Sequence, residues 1–96
     1  MNEPLYGVYG VSGCGRGVMP LAREQLKRAA VAYDRLVFVD DKPEASVVNG
    51  HCVLTYRDFL DKPAGERHVV LAIANSAIRE SLAKRCAETG VRPWTV

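Results

Sequence analysis

Three short runs of strand-forming apolar residues alternate along this chain with segments whose apolar residues recur every three or four positions. The runs are Leu5–Tyr9, Leu36–Val39 and His68–Ile73. A continuous apolar run is typical of a strand buried on both faces of a sheet, and the intervening spacing is typical of an amphipathic helix. Because 96 residues leave room for one domain, we predict a single α/β domain over residues 1–96, with a parallel sheet covered by helices on both faces.

The segments between the three strands predict two helices and a hairpin. Helical spacing predicts a first helix from about Gly17 to Ala32, with Pro20 near its first turn. The dipeptide Asn49-Gly50 favours a tight turn between strands and predicts a hairpin after the second strand. Thr55 follows as an N-cap, with Asp58 three residues later, and predicts a short helix.

The end of the chain predicts one more helix and one more strand. Asn75 or Ser76 is placed to cap this helix, and Gly90 is placed to end it. Its predicted apolar stripe is Ile78, Leu82 and Cys86, and a last strand begins at Trp94-Thr95-Val96. The full predicted order is β-α-β-(hairpin)-α-β-α-β.

Composition and charge argue against several classes of function. The formal net charge of +2, with no Lys/Arg cluster, argues against nucleic acid as a partner. No apolar run approaches the ~20 residues of a membrane span, and the first residues lack the pattern of a signal peptide. The three cysteines are odd in number and far apart, so we expect a protein of the reducing cytoplasm, with no membrane contact. Together with the two histidines they form no metal-ligand spacing, and no metal is expected.

A glycine-rich stretch leaves the first strand and opens the first helix. It reads Gly10-Val11-Ser12-Gly13-Cys14-Gly15-Arg16-Gly17. Glycines let backbone N–H groups approach a ligand closely, and a helix N-terminus adds partial positive charge, so the place suits a phosphate or pyrophosphate. The dinucleotide fingerprint Gly-x-Gly-x-x-Gly is imperfect here, because it becomes Gly10-x-Ser12-x-x-Gly15. A tight strand-to-helix turn without a ligand is the alternative interpretation.

Two catalytic interpretations of this stretch are weaker. The nucleophile elbow Gly-x-Ser-x-Gly is missed by one position, because residue 14 is a cysteine, and such a hydrolase needs a larger sheet. Cys14 is itself a candidate nucleophile at a helix N-terminus, but no general base is evident beside it.

Further candidate residues follow the second and third strands. Asp40 and Asp41 come directly after the second strand, where a carboxylate can accept hydrogen bonds from a ribose or from the imide N–H of a pyrimidine. Ala74 and Asn75 follow the third strand; a small residue keeps a crevice open, and Asn75 can bind a ligand as well as cap a helix. Because the carboxyl ends of parallel strands meet at one edge, we predict one crevice formed by all three strand ends. A solvated turn before Pro43 and a purely capping Asn75 are the alternatives.

Three motifs in this order resemble a known family. They are Tyr9–Arg16, Val39–Asp41 and Ala72–Arg79. Together they resemble the N-terminal domain of the bacterial nucleotide-sugar N-acetyltransferases, which are sugar acyltransferases of the bacillosamine and sialic-acid type. The likeness covers essentially the whole chain and extends to the closing segment Gly90–Val96.

This resemblance implies a small Rossmann-like sheet that holds a nucleotide-linked amino sugar of the UDP, dTDP or CMP type. It places residues 12–14 at the diphosphate and sugar, and residues 40 and 41 at the nucleoside. The family usually has His where this chain has Cys14 and Gly where it has Ala74. The predicted substrate-binding residues are Ser12, Gly13, Cys14, Gly15, Arg16, Asp40, Asp41, Ala74 and Asn75.

The resemblance also implies a second domain. In the family, a C-terminal left-handed β-helix of hexapeptide repeats binds acetyl-CoA, carries the catalytic histidine and forms homotrimers. No run of hexapeptide repeats occurs in these 96 residues, so neither a cofactor nor a catalytic residue is expected within them. The implied function is nucleotide-sugar binding within an acetyl-CoA-dependent sugar N- or O-acetyltransferase of polysaccharide biosynthesis.

Two other functions stay open at this point. The same glycines, with Asp40 on a ribose, would serve a minimal NAD- or CoA-binding module with a regulatory or sensing role. An interaction domain with an unused crevice is the third possibility. Binding of nucleotide sugars, of NAD or of neither distinguishes the three.

Overall fold

Residues 3–96, described by a computed structural model, form a six-stranded sheet between two layers of helices. The strand order is β3-β4-β2-β1-β5-β6, and every neighbouring pair is parallel except β3 with β4. This arrangement confirms the predicted Rossmann-like α/β fold. The elements in chain order are β1 (Leu5–Tyr9), α1 (Gly13–Arg28), a 3-10 turn (Tyr33–Arg35), β2 (Leu36–Val39), β3 (Val47–Val48), β4 (His51–Leu54), α2 (Tyr56–Asp61), β5 (Arg67–Leu71), α3 (Ser76–Glu88) and β6 (Arg92–Pro93).

The pleat of the central strands divides the core into two layers. All residues of β2 are buried, as predicted for a strand covered on both faces. Successive side chains of a strand point to opposite faces, so Phe38 packs in the layer of α1 and Val39 in the layer of α2 and α3. The helices contribute to these layers Met19, Ala22 and Leu26 from α1, Tyr56 and Phe59 from α2, and Leu82 and Cys86 from α3.

Several predictions from local pattern are confirmed. β1 and β2 have the predicted bounds, and the predicted turn Asn49-Gly50 joins β3 to β4. The Thr55 hydroxyl accepts a hydrogen bond from the Asp58 N–H at 3.1 Å and caps α2. Asn75 caps α3 in the same way, because its Oδ1 accepts from the Ile78 N–H at 3.0 Å.

The predicted bounds of the first helix are wrong at both ends. α1 begins at Gly13 rather than Gly17, so that Pro20 lies well inside the helix instead of near its first turn. It ends at Arg28 rather than Ala32, because Ala30 adopts the left-handed conformation, with φ of 57°. The Val31 N–H then donates to the Leu26 carbonyl at 3.0 Å, which closes the helix in the manner that glycine usually supports.

The predicted C-terminal elements also need correction. β5 ends at Leu71 rather than Ile73, because its partner β1 ends at Tyr9, which pairs with Leu71. The last strand is Arg92–Pro93 rather than Trp94–Val96. In the predicted stripe of α3, Ile78 is 52% exposed, because it lies in the first turn at the edge of the sheet.

His51 is a buried histidine with one ring nitrogen paired. Its side chain is 1% exposed, and Nδ1 donates to the carbonyl oxygen of Leu36 at 3.2 Å. Nε2 finds no partner among residues 3–96. Burial lowers the pKa of His51, because the imidazolium loses solvation. The hydrogen bond to the Leu36 carbonyl opposes this shift, and the nearby charge of Arg23 adds to it, so that the pKa is lowered in total.

We therefore expect the domain to lose stability as the pH falls below about 6.5, the ordinary pKa of histidine. Below this pH the unfolded chain binds a proton at His51 that the folded chain takes up only at lower pH, so acid favours unfolding. Melting temperatures between about pH 7.5 and about pH 5 measure the effect. His51→Gln should flatten the dependence, with His68→Gln as the control for loss of an imidazole. An undiminished slope in His51→Gln would contradict this assignment.

Candidate functional site

Three loops meet at the carboxyl edge of the sheet. They follow β1, β2 and β5, which are neighbours, and they contain residues 10–12, 40–46 and 72–75. Two backbone hydrogen bonds tie them together. The Gly10 N–H donates to the Val39 carbonyl at 2.9 Å, and the Ala72 N–H donates to the Tyr9 carbonyl at 3.0 Å. In sheets of this type, ligands bind beyond the carboxyl ends of the strands, where the chain turns to either side of the first strand.

The turn from β1 into α1 is tight because the backbones of Gly10 and Gly15 are in direct contact. Gly10 has a φ of +116°, a conformation that other residues rarely adopt. A Cβ atom at Gly15 would lie 1.8 Å from the Gly10 carbonyl oxygen, so the first turn of α1 rests directly on this loop. At Gly13, by contrast, a Cβ atom would meet nothing within 4 Å. The exposed start of α1 therefore faces open space.

The start of α1 offers unpaired backbone donors. Ser12 is the N-cap residue and makes no side-chain capping bond. The Arg16 N–H donates to the Ser12 carbonyl at 2.9 Å, and the N–H groups of Gly13, Cys14 and Gly15 come before it. These are the N–H groups that a helix leaves without internal partners and that bind anions in many proteins.

A cavity of about 340 Å³ opens beside this helix start. This volume lies in the range of small-molecule sites. The cavity carries two cationic side chains, Arg16 and Lys42, and two carboxylates, Asp40 and Glu44. Its other lining residues are Val11, Ser12, Ala45, Val48 and Val53.

Two hydrogen bonds shape the polar wall of this cavity. Arg16 Nε donates to the Val11 carbonyl at 2.9 Å, which folds the guanidinium back over the loop. The half-buried Asp40 accepts a hydrogen bond from the Lys42 N–H at 3.2 Å through Oδ1. Cationic side chains that suit a phosphate and a carboxylate that suits a hydroxyl thus line the same cavity, next to the N-cap residue of α1.

Asp41 points to the opposite face of the sheet. Its Oδ1 accepts hydrogen bonds from the Tyr9 hydroxyl at 2.6 Å and from Arg85 Nη1 at 3.2 Å. Burial, followed by the hydrogen bond to Asp41, raises the pKa of Tyr9, which stays a neutral donor. The sequence analysis missed Tyr9 and Arg85 as polar partners. The alternation of side chains along an extended strand was the available indication that neighbouring aspartates diverge.

Ala74 and Asn75 lie on the other side of Gly10 from this cavity. They are exposed and connect β5 to α3, and Asn75 is engaged in capping. Arg79 Nη1 donates a hydrogen bond to the Ile73 carbonyl at 3.1 Å and links α3 to the loop that follows β5.

The structure brings only some of the predicted site residues together in the cavity. The cavity brings together Ser12, Arg16 and Asp40, and Gly13 and Cys14 are the exposed first residues of the adjoining helix. Gly15 is buried beneath them, and only its backbone N–H belongs to the helix start. The predicted residues that do not line the cavity are Gly13, Cys14, Gly15, Asp41, Ala74 and Asn75. The binding roles of Ala74 and Asn75 stay predictions.

Residues 3–96 offer neither a metal site nor a membrane-spanning helix. No group of three or more His, Cys, Asp and Glu side chains is arranged to hold a metal ion within this range. Nor does any helix in the described part of the chain have the length and apolar character to cross a membrane.

Known proteins are similar to this chain in sequence and in fold. The chain is 36% identical over 92 residues to GDP-perosamine N-acetyltransferase from Escherichia coli O157:H7, which covers 96% of this chain and 42% of that protein. Its structure is similar to that of WeeI from Acinetobacter baumannii AYE, with a TM-score of 0.90 and 41% identity, over 97% of this chain and 43% of that one. The chain thus spans less than half the length of these two relatives.

The chain also matches a known protein family. Residues 7–86 match the family described as the PglD N-terminal domain. This match and the two relatives confirm the resemblance drawn from the three motifs. The chain therefore belongs to the PglD N-terminal domain family.

Proposed function

We propose that this chain binds a nucleotide-linked sugar and is the substrate-binding part of an acetyl-CoA-dependent sugar N- or O-acetyltransferase. The observation that carries the proposal is the cavity lined by the N-cap residue of α1, by two cationic side chains and by the Asp40 carboxylate. The name of the relative, GDP-perosamine N-acetyltransferase, supports the same substrate class.

The cavity matches the parts of such a ligand. A diphosphate suits the N–H groups at the start of α1, with Arg16 and Lys42 to neutralise its charge. Asp40 accepts hydrogen bonds from a ribose or from a base N–H. The sugar then extends along the exposed helix start toward Ala74. The proposal covers GDP, which the relative's name gives, as well as the UDP, dTDP and CMP types.

The chemical step is assigned to another part of the enzyme. We place the acetyl-CoA site, the catalytic residue and the homotrimer contacts in a further domain of the full enzyme, outside these 96 residues. There, the sugar nitrogen or oxygen attacks the thioester carbonyl carbon of acetyl-CoA and gives up its proton. The C–S bond breaks, and CoA leaves as the thiol after taking up a proton. The three cysteines are free thiols, which is consistent with a protein that works in the reducing cytoplasm.

A thermal-shift panel tests the binding function. The panel contains GDP, UDP, dTDP and CMP sugars, with NAD and CoA as competing ligand classes. A ligand at 100 times its dissociation constant adds about 2.7 kcal/mol of stability, which raises the melting temperature of a domain this size by roughly 10–20 °C. Stabilisation by a nucleotide sugar supports the proposal. Stabilisation by NAD or CoA alone would favour the sensing module, and no response at millimolar ligand would contradict a ligand-binding role.

Asp40→Ala should weaken nucleotide-sugar binding by at least about tenfold, because a hydrogen bond to a charged acceptor contributes about 1.5–3 kcal/mol. The melting temperature of the free domain should change little, since among residues 3–96 the Asp40 carboxylate accepts a hydrogen bond only from an exposed backbone N–H. Calorimetry measures the affinity. Asp34→Ala, at the opposite end of β2, is the control. Equal affinities in Asp40→Ala and the parent would remove Asp40 from the site.

A further inference from the structure

Tyr9, Asp41 and Arg85 form a polar cluster behind the candidate cavity, on the α3 side of the sheet. The Tyr9 hydroxyl donates to Asp41 Oδ1 at 2.6 Å and accepts from Arg85 Nη1 at 3.2 Å. Arg85 Nη1 also donates to Asp41 Oδ1 at 3.2 Å, so the three groups close a triangle. The residues come from the end of β1, the loop after β2 and the last turns of α3.

The surrounding side chains hold this cluster in place. The Arg85 guanidinium lies 4.3 Å from the centroid of the Tyr56 ring, which packs against the Tyr9 ring. The Tyr56 hydroxyl is 2.6 Å from Thr89 Oγ1, so Tyr56 is itself fixed to the end of α3. Tyr9 is 3% exposed. The hydroxyl that meets Asp41 is therefore presented by a rigid ring rather than by a mobile surface chain.

Asp40 and Asp41 are consecutive, so a restraint on one limits the other. The Asp40 N–H donates to the Leu54 carbonyl at 2.9 Å, and its Oδ1 accepts from the Lys42 N–H. These contacts fix the backbone on the cavity side, and Asp41 fixes it on the opposite side. Without the Asp41 anchor, the exposed segment 41–46 would have more freedom to rotate the Asp40 carboxylate.

We propose that Tyr9, Asp41 and Arg85 act as a latch that holds the Asp40 carboxylate toward the cavity, so that Asp41 is a positioning residue rather than a nucleoside contact. This inference rests on the proposed nucleotide-sugar function. A preformed carboxylate improves affinity because the ligand does not have to order the loop when it binds. The latch thus assigns the two aspartates different tasks, one on each face of the sheet.

The first experiment needs no ligand. Hydrogen exchange of the Lys42 amide, measured by NMR, reports the hydrogen bond to Asp40. Asp41→Ala and Tyr9→Phe should each speed this exchange by about tenfold, while the amides of β1 and β5 keep their protection. Unchanged Lys42 exchange in both variants would overturn the latch, whatever the domain binds.

The second experiment measures affinity for GDP by calorimetry in a double-mutant cycle. Asp41→Ala and Tyr9→Phe should each weaken GDP binding by about tenfold, and the double variant should bind no more weakly than Asp41→Ala alone. Asp41→Asn keeps an acceptor for the Tyr9 hydroxyl and should recover part of the affinity. Asp34→Ala is the charge control. If Asp41 touched the nucleotide instead, Tyr9→Phe would bind GDP like the parent.

The two experiments separate the latch from the proposed function. A parent chain that fails to bind GDP or any sugar nucleotide counts against the proposed function, and the exchange of the Lys42 amide then still decides whether the latch holds Asp40. Slower or unchanged exchange contradicts the latch in either case.

Discussion

A Gly15→Ala substitution is expected to lower the melting temperature of this domain by about 15 °C, which corresponds to about 3 kcal/mol of unfolding free energy. The added methyl carbon would lie 1.8 Å from the Gly10 carbonyl oxygen and 2.6 Å from its carbonyl carbon. Backbone atoms on both sides have to move, because no flexible side chain can give way. Gly10 cannot retreat freely, since it is buried and hydrogen-bonded to the Val39 carbonyl. Thermal unfolding measured by circular dichroism gives the change.

Gly17→Ala is the matched control in the same helix. A Cβ atom at Gly17 would meet nothing within 4 Å, so this variant gains helix propensity without a clash. It should be more stable than the parent by up to about 1 kcal/mol. The same chemical change, two positions apart, is thus expected to act with opposite sign. If Gly15→Ala were as stable as the parent, the contact between the helix start and the β1 loop would be incorrect.

This contact also explains why the start of α1 was not predicted. Each glycine in a helix costs about 1 kcal/mol relative to alanine, so the stretch from Gly13 to Gly17 has the composition of a loop. What makes it helical is the packing of Gly15 on Gly10, a tertiary constraint that hydrophobic spacing does not register. The end of α1 was missed for a related reason, because Ala30 takes a left-handed conformation that local pattern assigns to glycine.

The correctly predicted parts depend on interactions between close neighbours in sequence. Thr55 and Asn75 cap helices through N–H groups three residues away, and such pairs are visible in the sequence. The buried strand Leu36–Val39 is a short apolar run whose bounds are marked by polar residues on both sides. Strand bounds at the end of the chain were less accurate, because they depend on pairing with a neighbouring strand. β5 ends at Leu71, opposite the last residue of β1, and β6 pairs with β5 only at Arg92 and Pro93.

The candidate site shows the same limit. That three loops meet at one edge follows from parallel strands, and it was predicted. Which loop residues share the cavity depends on the path of the chain after β2, where Asp40 lines the cavity and Asp41 bonds Tyr9 on the opposite face. The partner that holds Asp41 there, Arg85, is 44 positions away in the chain, and no local pattern connects the two.

A Gly13→Val substitution is expected to weaken nucleotide-sugar binding by at least about a hundredfold while the domain stays folded. Gly13 is the first residue of α1, and its missing side chain leaves the approach to the helix N–H groups open. An isopropyl group there would occupy the space in which we place the diphosphate and would keep it from the backbone donors. Since a Cβ atom at this position meets nothing within 4 Å, the free domain has no clash to relieve. Calorimetry with the sugar nucleotide that stabilises the parent measures the loss, and thermal unfolding confirms the fold.

Gly17→Val separates blocked approach from a general effect of valine in this helix. Gly17 is also exposed, and a Cβ atom there would meet nothing within 4 Å among the described residues, but it lies about 6 Å further along the axis of α1 than Gly13. Its affinity should stay within about twofold of the parent, because the helix start remains open. Gly13→Ala should fall between the parent and Gly13→Val, since a methyl group fills less of the approach. Full affinity in a folded Gly13→Val variant would show that the phosphates do not bind at the start of α1, and the ligand would then have to lie elsewhere along the carboxyl edge of the sheet.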